Sequence, residues 1–167
     1  DAFRIKRCVA DALAQRFSRD DAPGHPANDG HRVLVMVPWV PTNPNNNILR
    51  VVAGYVAGLR QQADVADAIL LVTNEVALPE AASDKGMRTD ARSGRGVHEK
   101  VLQEFGVPAD ALHYAAPLLS GEGNTTSVRR IVDGFDPTCV FVPNFELTAA
   151  YAHGFGHRCA TVYLQTS

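Results

Sequence analysis

A polar turn follows the first long apolar segment of the chain, and its side chains are suited to binding a ligand. Residues 33–40 are apolar, and the chain then reads Pro-Thr-Asn-Pro-Asn-Asn-Asn. The residues of this turn that carry a hydroxyl or an amide are Thr42, Asn43, Asn45, Asn46 and Asn47. Amides both donate and accept hydrogen bonds, which suits them to sugar hydroxyls. Because asparagine is also a preferred N-cap, we expect Asn46 or Asn47 to cap the following helix and another of these residues to contact the ligand.

A second turn contains the glycines that the first turn lacks. Residues 120–126 read Ser-Gly-Glu-Gly-Asn-Thr-Thr and precede a predicted helix. Backbone N–H groups at a helix start bind anions or hydroxyl oxygens, so Gly121, Gly123 and Asn124 are candidate substrate-binding residues. The alternative is a plain turn in which one of the two threonines caps the helix.

Asn144 and Glu146 lie just past the fourth predicted strand. In doubly wound folds, ligands bind in the crevice outside the carboxyl ends of the strands, so this position suits contact with a substrate. Glu146 is the candidate catalytic residue, as a general base toward a hydroxyl group. The alternative for Glu146 is a place in the first turn of a helix, where the helix dipole favours a carboxylate.

Familiar cofactor and catalytic motifs are missing from the sequence. The turn after the first strand has no GxGxxG, which argues against NAD or FAD, and the chain has no GxxxxGK[ST] P-loop. Neither HExxH nor GxSxG occurs, and the histidines show no tight metal-ligand spacing. We therefore expect no metal and no bound cofactor. The cysteines Cys8, Cys139 and Cys159 have no CxxC spacing. Cys139 and Cys159 each lead into an apolar run and are expected to be buried thiols.

The composition is typical of a globular domain of ordinary size. The chain has 167 residues, of which 46% are hydrophobic, with a formal net charge of −2 and a mean hydropathy of −0.10. Since there is no basic excess, we expect no nucleic-acid partner, and the apolar runs are too short to span a membrane. A soluble, cytoplasmic protein is the expectation. Because the sequence lacks an initial Met and stops just after a strand, we expect it to be part of a longer protein.

Apolar segments of strand length alternate with segments of helical period along most of the chain. The predicted strands span residues 33–40, 68–72, 111–115, 139–142 and 160–164. The predicted helices span residues 48–59, 97–105, 126–132 and 147–156. This alternation predicts an α/β fold with a doubly wound, mostly parallel five-stranded sheet, Rossmann-like, and right-handed crossovers. The nearly continuous apolar first strand is typical of a strand buried on both faces.

Two further segments fall outside this alternation. Residues 3–17 have helical spacing and precede a linker rich in Asp, Pro, Gly and Asn. We therefore expect residues 1–30 to form an N-terminal helix and linker beside a domain of residues 31–167. Residues 80–96 have no apolar period and are predicted to be a long flexible insertion. The basic side chains of this insertion could approach a phosphate, and the alternative is a solvated loop.

Three segments together resemble the N-terminal domain of GT-B-type glycosyltransferases. They read VLVMVPWVPTNPNNNILRVVAGYVAGLRQ, FDPTCVFVPNFE and YAHGFGHRCATVYLQ. Members of that family similarly have a strand ending in a small polar turn, an amphipathic helix, a strand introduced by Asp-Pro, and a helix running into a Gly-His strand. The likeness covers roughly residues 31–165. It departs at the first turn, which is rich in Asn and Pro here and rich in glycine in many members.

The resemblance implies the acceptor-side domain of a two-domain enzyme. An acceptor hydroxyl would attack the anomeric carbon of a nucleotide-sugar, with a carboxylate or histidine as base and often without a metal. The donor would be held mainly by a C-terminal domain of the parent chain, so this domain would be inactive alone. The alternative function is a non-catalytic Rossmann-like module that binds a nucleotide or a sugar.

Overall fold

The computed structural model describes residues 30–74, 91–116, 123–143, 148–149, 151–152 and 159–164. The strands are β1 (His31–Val37), β2 (Val65–Val72), β3 (Leu112–Tyr114), β4 (Cys139–Pro143) and β5 (Ala160–Leu164). The helices are α1 (Asn47–Arg60), α2 (Ala91–Glu104) and α3 (Gly123–Phe135), with a short 3-10 helix (Ala109–Ala111) ahead of β3. Residues 148–149 and 151–152 are also helical.

The strands form one parallel sheet in the order β3-β2-β1-β4-β5. This confirms the predicted Rossmann-like α/β fold. β1 lies at the centre, where Val33 is in register with Ala68 of β2 on one side and Cys139 of β4 on the other. Residues 33–37 are all buried, as expected for a strand that helices cover on both faces.

α1 is an amphipathic helix that packs on the sheet through an apolar stripe. Its buried residues are Leu49, Val52, Ala53, Val56 and Ala57. Tyr55 adds an edge-to-face contact with Phe141 of β4, with ring centroids 5.2 Å apart. α1 also packs against α2, where Arg50 forms an ion pair with Glu104 at 3.1 Å. These contacts fix the start of α1 relative to the sheet.

α2 begins earlier than the apolar spacing predicts. Residues 91–96 are helical, so the prediction of a flexible insertion is wrong for them, while residues 80–90 lie outside the described residues. Gly94 gives the physical reason, because a Cβ at that position would lie 2.6 Å from Cγ2 of Thr42. The first turns of α2 therefore pack directly against the turn that follows β1. Tertiary packing here outweighs the low helix propensity of the segment.

α3 also begins earlier than predicted, at Gly123 rather than near residue 126. The prediction of a turn over residues 120–126 is therefore wrong for its second half. The first turn of α3 is anchored by the side chain of Asn124, which donates to the carbonyl oxygens of Thr73 and Ala116. Those carbonyls belong to other elements, so the sequence around Asn124 alone does not reveal this helix start.

The strand order reverses at β1, with β2 and β3 on one side and β4 and β5 on the other. The resulting topological switch point lies between the carboxyl ends of β1 and β4, where open α/β sheets bind ligands. β1 ends at Val37 rather than at residue 40. Residues 38–47, here called the β1 turn, therefore begin at the switch point, and Trp39 belongs to this turn. Asn47, the last residue of the β1 turn, is also the first residue of α1.

The predicted N-terminal helix and linker lie outside the described residues, apart from Gly30. Cys139 and Cys159 are free thiols; Cys159 is buried and Cys139 is partly buried, and Cys8 lies outside the described residues. None of the helices in the described ranges has both the length and the apolar character of a membrane span.

Candidate functional site

The β1 turn is shaped by hydrogen bonds among its own asparagines. Oδ1 of Asn43 accepts from the N–H of Asn45 at 3.0 Å, and the Asn43 carbonyl accepts from the N–H of Asn46 at 3.0 Å. Oδ1 of Asn46 accepts from the N–H of Ile48 at 2.8 Å, which makes Asn46 the N-cap of α1. The expectation that Asn46 or Asn47 caps this helix is confirmed for Asn46.

Asn45 and Asn47 present their side-chain amides to solvent. Both residues are exposed, and neither side-chain amide has a hydrogen-bond partner in the part of the chain that the structure describes. Trp39 of the same turn is partly exposed and is the only tryptophan in the sequence. Residues 38–47 include no charged side chain. The turn therefore offers a ligand neutral donors, neutral acceptors and an aromatic ring.

His98 of α2 connects the β1 turn to β3. Its side chain is only 2% exposed. Nε2 lies 2.9 Å from the carbonyl oxygen of Pro41, and Nδ1 lies 2.5 Å from the hydroxyl of Tyr114. Because a carbonyl oxygen only accepts, Nε2 carries the proton, and Nδ1 of the neutral ring accepts from the Tyr114 hydroxyl. Both ring nitrogens are therefore used within the protein.

The surroundings of His98 keep its ring neutral. Burial lowers the pKa of His98 below the ordinary value of 6.5, and the carbonyls of Pro41 and Val40 act in the opposite direction. Burial likewise raises the pKa of the Tyr114 hydroxyl, so that this group remains a hydrogen-bond donor. With its nitrogens occupied, His98 is suited to holding the β1 turn rather than to moving a proton on a ligand.

A second group of polar residues is buried at the carboxyl ends of β2 and β3. We call Thr73, Asn74, Asn124 and Tyr151 the edge cluster. Nδ2 of Asn124 donates to the carbonyls of Thr73, at 2.7 Å, and Ala116, while Oδ1 accepts from the Tyr151 hydroxyl. Asn124 is 1% exposed, and both its amide protons are used. One side chain thus joins the ends of β2 and β3 to the helical residue 151.

Thr73 links the edge cluster to β1. Its N–H donates to the carbonyl of Val37 at 2.8 Å, and its hydroxyl donates to the same oxygen at 3.3 Å. One strand further along the sheet, the N–H of Ala115 donates to the carbonyl of Val72 at 2.9 Å. These bonds extend the sheet pairing past the strand ends, so β1, β2 and β3 finish side by side at one edge.

Asn74 combines two unfavourable features. Its φ is 52°, in the left-handed region that asparagine tolerates better than most residues. Nδ2 donates to the carbonyl of Ala115 at 2.6 Å, but Oδ1 is buried and has no hydrogen-bond partner among the described residues. A buried acceptor without a partner costs about 1–3 kcal/mol. Costs of this kind are concentrated at functional sites.

An open cavity of about 420 Å³ lies beside the start of α3. It is lined by Ala116, Gly123, Thr126, Ser127 and Arg130. The hydroxyl of Ser127 accepts from the N–H of Ala116 at 3.2 Å, while Thr126 and Arg130 are exposed. The structure therefore places Gly123, a predicted substrate-binding residue, in a cavity wall with hydroxyl and guanidinium groups.

The structure brings some of the predicted site residues together and separates others. Those that lie together in the β1 turn and at the start of α1 are Thr42, Asn43, Asn45, Asn46 and Asn47. Asn124 lies in the edge cluster, with its amide protons used internally. Gly121, Asn144 and Glu146 lie outside the described residues, so their roles stay predictions. In the described ranges no group of three or more His, Cys, Asp or Glu side chains is placed to hold a metal.

Sequence patterns do not single out Thr73, Asn74 or His98 as site residues. The sequence does contain a clue for Thr73 and Asn74, because they directly follow the apolar run of β2. Residues at the carboxyl ends of parallel strands lie at the edge where ligands bind. His98 has no comparable signal. Its burial depends on Pro41 and Tyr114, which come from other elements.

No family model matches the sequence, and neither a curated protein nor a solved structure matches it. The fold and the geometry of its carboxyl edge are therefore the basis for a functional proposal.

Proposed function

We propose that this domain binds a sugar or glycan acceptor at the β1 turn, as the acceptor-side domain of a glycosyltransferase that uses a nucleotide-sugar donor. The observation that supports this proposal is the pair of exposed amides of Asn45 and Asn47, which have no side-chain partner among the described residues, in a turn that also carries Trp39. Amides match the donors and acceptors of sugar hydroxyls, and an aromatic ring offers an apolar surface to the C–H groups of a sugar.

The absence of charge in the β1 turn favours a sugar over a phosphate. Proteins bind phosphate through cationic side chains or through backbone N–H groups at glycine-rich helix starts. Residues 38–47 contain neither a charged side chain nor a glycine. In the proposed reaction, the phosphates of the donor would be held by the C-terminal domain of the parent chain, and this domain would present the acceptor hydroxyl.

The β1 turn is also organised before any ligand arrives. Asn43 and Asn46 fix its backbone from within, and His98 holds Pro41 from the side of α2. Binding to a preformed turn costs less conformational entropy than ordering a flexible loop, so a few hydrogen bonds to sugar hydroxyls are sufficient for measurable affinity.

A non-catalytic sugar- or nucleotide-binding module is the second candidate. The observation that favours it concerns His98, the histidine bonded to the β1 turn. Both nitrogens of His98 are occupied, so it supplies no base to a ligand. Catalysis in the first proposal would then depend on Glu146, which would take the proton of the acceptor hydroxyl as that oxygen attacks the donor sugar.

Fluorescence of Trp39 provides a direct test, because this is the only tryptophan in the sequence. The probes are methyl α-D-glucopyranoside, maltose, N-acetylglucosamine, UDP and inorganic phosphate. We expect at least one glycoside to change the emission saturably. The double variant Asn45→Ala, Asn47→Ala should bind that glycoside at least ~10-fold more weakly, as expected for the loss of hydrogen bonds to a ligand.

Gln61→Ala is the matched control, because it removes an exposed amide at the far end of α1, beside the amino ends of β1 and β2. This variant should bind the glycoside like the unmodified chain. Binding of UDP or phosphate without any glycoside would support the nucleotide-binding module instead. A chain that binds none of the glycosides would overturn the proposal of an acceptor site.

A further inference from the structure

We propose that Asn74 is a specificity-determining residue of the sugar site: its Oδ1 accepts a hydrogen bond from one ligand hydroxyl. This inference rests on the proposed function and names the side chain that selects among acceptors. Asn45 and Asn47 of the β1 turn have exposed amides, whereas Asn74 is 7% exposed and belongs to the edge cluster.

The position of Asn74 joins it to the β1 turn. It follows Thr73, whose N–H and hydroxyl both bond the carbonyl of Val37, the last residue of β1. The β1 turn starts at the next residue along the chain. Asn74 therefore lies one strand away from the start of the turn, at the carboxyl edge where α/β sheets bind ligands.

The orientation of the Asn74 amide is fixed by its own donor. Nδ2 bonds the carbonyl of Ala115 at 2.6 Å, and turning the amide over would set two oxygens against each other. Oδ1 is therefore held as an acceptor that lacks a partner among the described residues. A ligand hydroxyl has the donor proton that this oxygen needs.

Asn124 shows that the same edge is able to satisfy an asparagine fully. Its Nδ2 donates to two carbonyls and its Oδ1 accepts from Tyr151. Asn74 differs in carrying both an unpaired buried acceptor and a left-handed backbone, with φ of 52°. Two costs at one residue are the pattern expected where a ligand, rather than the stability of the fold, requires the side chain.

The oxygen of Asn74 is covered in the unliganded chain. A ligand hydroxyl reaches it only after the atoms that cover it have moved. The acceptor then gains a partner that it lacks without ligand, so its contribution to binding is large for a single hydrogen bond.

Asn74→Gly is the variant that separates the two roles. Glycine adopts a φ of 52° without strain and removes the unpaired oxygen, but it also removes Nδ2 and leaves the carbonyl of Ala115 without that donor. Because relief of the backbone and of the unpaired oxygen opposes the loss of the bond to Ala115, we expect the urea midpoint of N74G to stay close to that of the unmodified chain. In contrast, the glycoside that binds best in the Trp39 titration should bind N74G at least ~10-fold more weakly.

Monodeoxy analogues of that glycoside sharpen the test. The unmodified chain should bind one analogue at least ~10-fold more weakly than the parent glycoside, because that analogue lacks the hydroxyl that Asn74 accepts from. N74G should bind the parent and this analogue equally. Asp136→Gly is the control for glycoside binding, since Asp136 has a similar φ of 53° and follows α3 at the opposite edge of the sheet. It also removes the ion pair between Asp136 and Arg32, so the comparison with N74G is one of binding and not of stability.

The outcomes distinguish this inference from the proposed function. If the unmodified chain binds a glycoside and N74G binds it equally tightly, or still discriminates against the same analogue, the role of Asn74 is overturned and the acceptor site stands. A variant N74G that fails to fold also overturns it, because Asn74 would then be structural. A chain that binds no glycoside overturns both.

Discussion

Two regions at the same edge of the sheet use asparagine in opposite ways. In the β1 turn, the partners of Asn43 and Asn46 lie two or three residues away, and the side chains of Asn45 and Asn47 face solvent. In the edge cluster, Asn124 is buried and one of its partners lies 51 residues away in the sequence.

The difference shows that location rather than residue type decides what an amide does. A hydrogen bond in an exposed turn exchanges with a bond to water, so its loss costs little. A buried amide that joins three elements has no water to replace it, and its loss leaves several carbonyl and hydroxyl groups unpaired. We therefore expect Asn124 of the edge cluster to determine stability and the exposed amides of the β1 turn to determine binding, whereas Asn74 is the member of the edge cluster that is proposed to contact the ligand.

The largest expected effect is the loss of stability in Asn124→Ala. This variant leaves the carbonyls of Thr73 and Ala116 and the hydroxyl of Tyr151 without their partner. We expect the free energy of unfolding to fall by about 3–5 kcal/mol, measured by urea denaturation followed by circular dichroism.

Asn45→Ala is the matched change in the β1 turn and should alter stability by less than about 0.5 kcal/mol. If the two variants lose similar stability, the contrast between the buried and the exposed asparagines is wrong.

The next effect concerns His98, which attaches the β1 turn to the core. In His98→Gln the amide nitrogen still donates to Pro41, but the amide oxygen is bonded to the same carbon as that nitrogen and does not occupy the position of Nδ1. The Tyr114 hydroxyl then loses its acceptor, so we expect a loss of about 1–3 kcal/mol at pH 8. Burial depresses the pKa of His98 in the folded chain, so the unfolded chain takes up the proton first as the pH falls. The stability that depends on neutral His98 is therefore complete above pH 6.5 and is lost progressively below it.

Urea denaturation between pH 8 and pH 5 should show a smaller decline in stability for H98Q than for the unmodified chain. H98Q should still lose some stability as the pH falls, because burial and the neighbouring Arg95 also lower the pKa of His113. Parallel curves for the two proteins would show that His98 does not titrate on unfolding.

The packing of α2 against the β1 turn is tested by a pair of glycines in the same helix. A Cβ at Gly94 would lie 2.6 Å from Cγ2 of Thr42, so Gly94→Ala should destabilise the fold by about 1–3 kcal/mol. A Cβ at Gly96 meets nothing within 4 Å, so Gly96→Ala should stabilise the helix by about 0.5–1 kcal/mol. Thermal unfolding of both variants would show opposite shifts, and shifts of the same sign would contradict the packing of α2 on Thr42.

The last prediction concerns the contribution of the Asn46 cap of α1 to stability. Asn46→Ala removes the acceptor of the Ile48 N–H and should cost about 1 kcal/mol, whereas Asn46→Ser should be nearly neutral because serine caps equally well. Urea midpoints of the two variants provide the measurement. An alanine variant as stable as the serine variant would mean that the side chain of Asn46 is free for another role.

Much of the fold was predictable from local pattern. Apolar runs of strand length and helical periods depend on residues that are close in sequence. They therefore indicate in what order strands and helices follow one another along the chain, and their alternation predicts a parallel sheet. The starts of α2 and α3 were not predictable, because Gly94 and Asn124 act through Thr42, Thr73 and Ala116, which lie in other elements.

The sequence by itself determined the polar turn after β1 and an asparagine cap on α1 at Asn46 or Asn47, because both features arise from hydrogen bonds between residues a few positions apart. Only the tertiary structure decided which amides are exposed, which are satisfied and that, among the described residues, the buried Oδ1 of Asn74 lacks a partner. Asn45, Asn74 and Asn124 are all asparagines, so residue type alone does not distinguish them. Their roles differ because burial and distant partners exist only once β2, β3 and α3 have come together at the carboxyl edge.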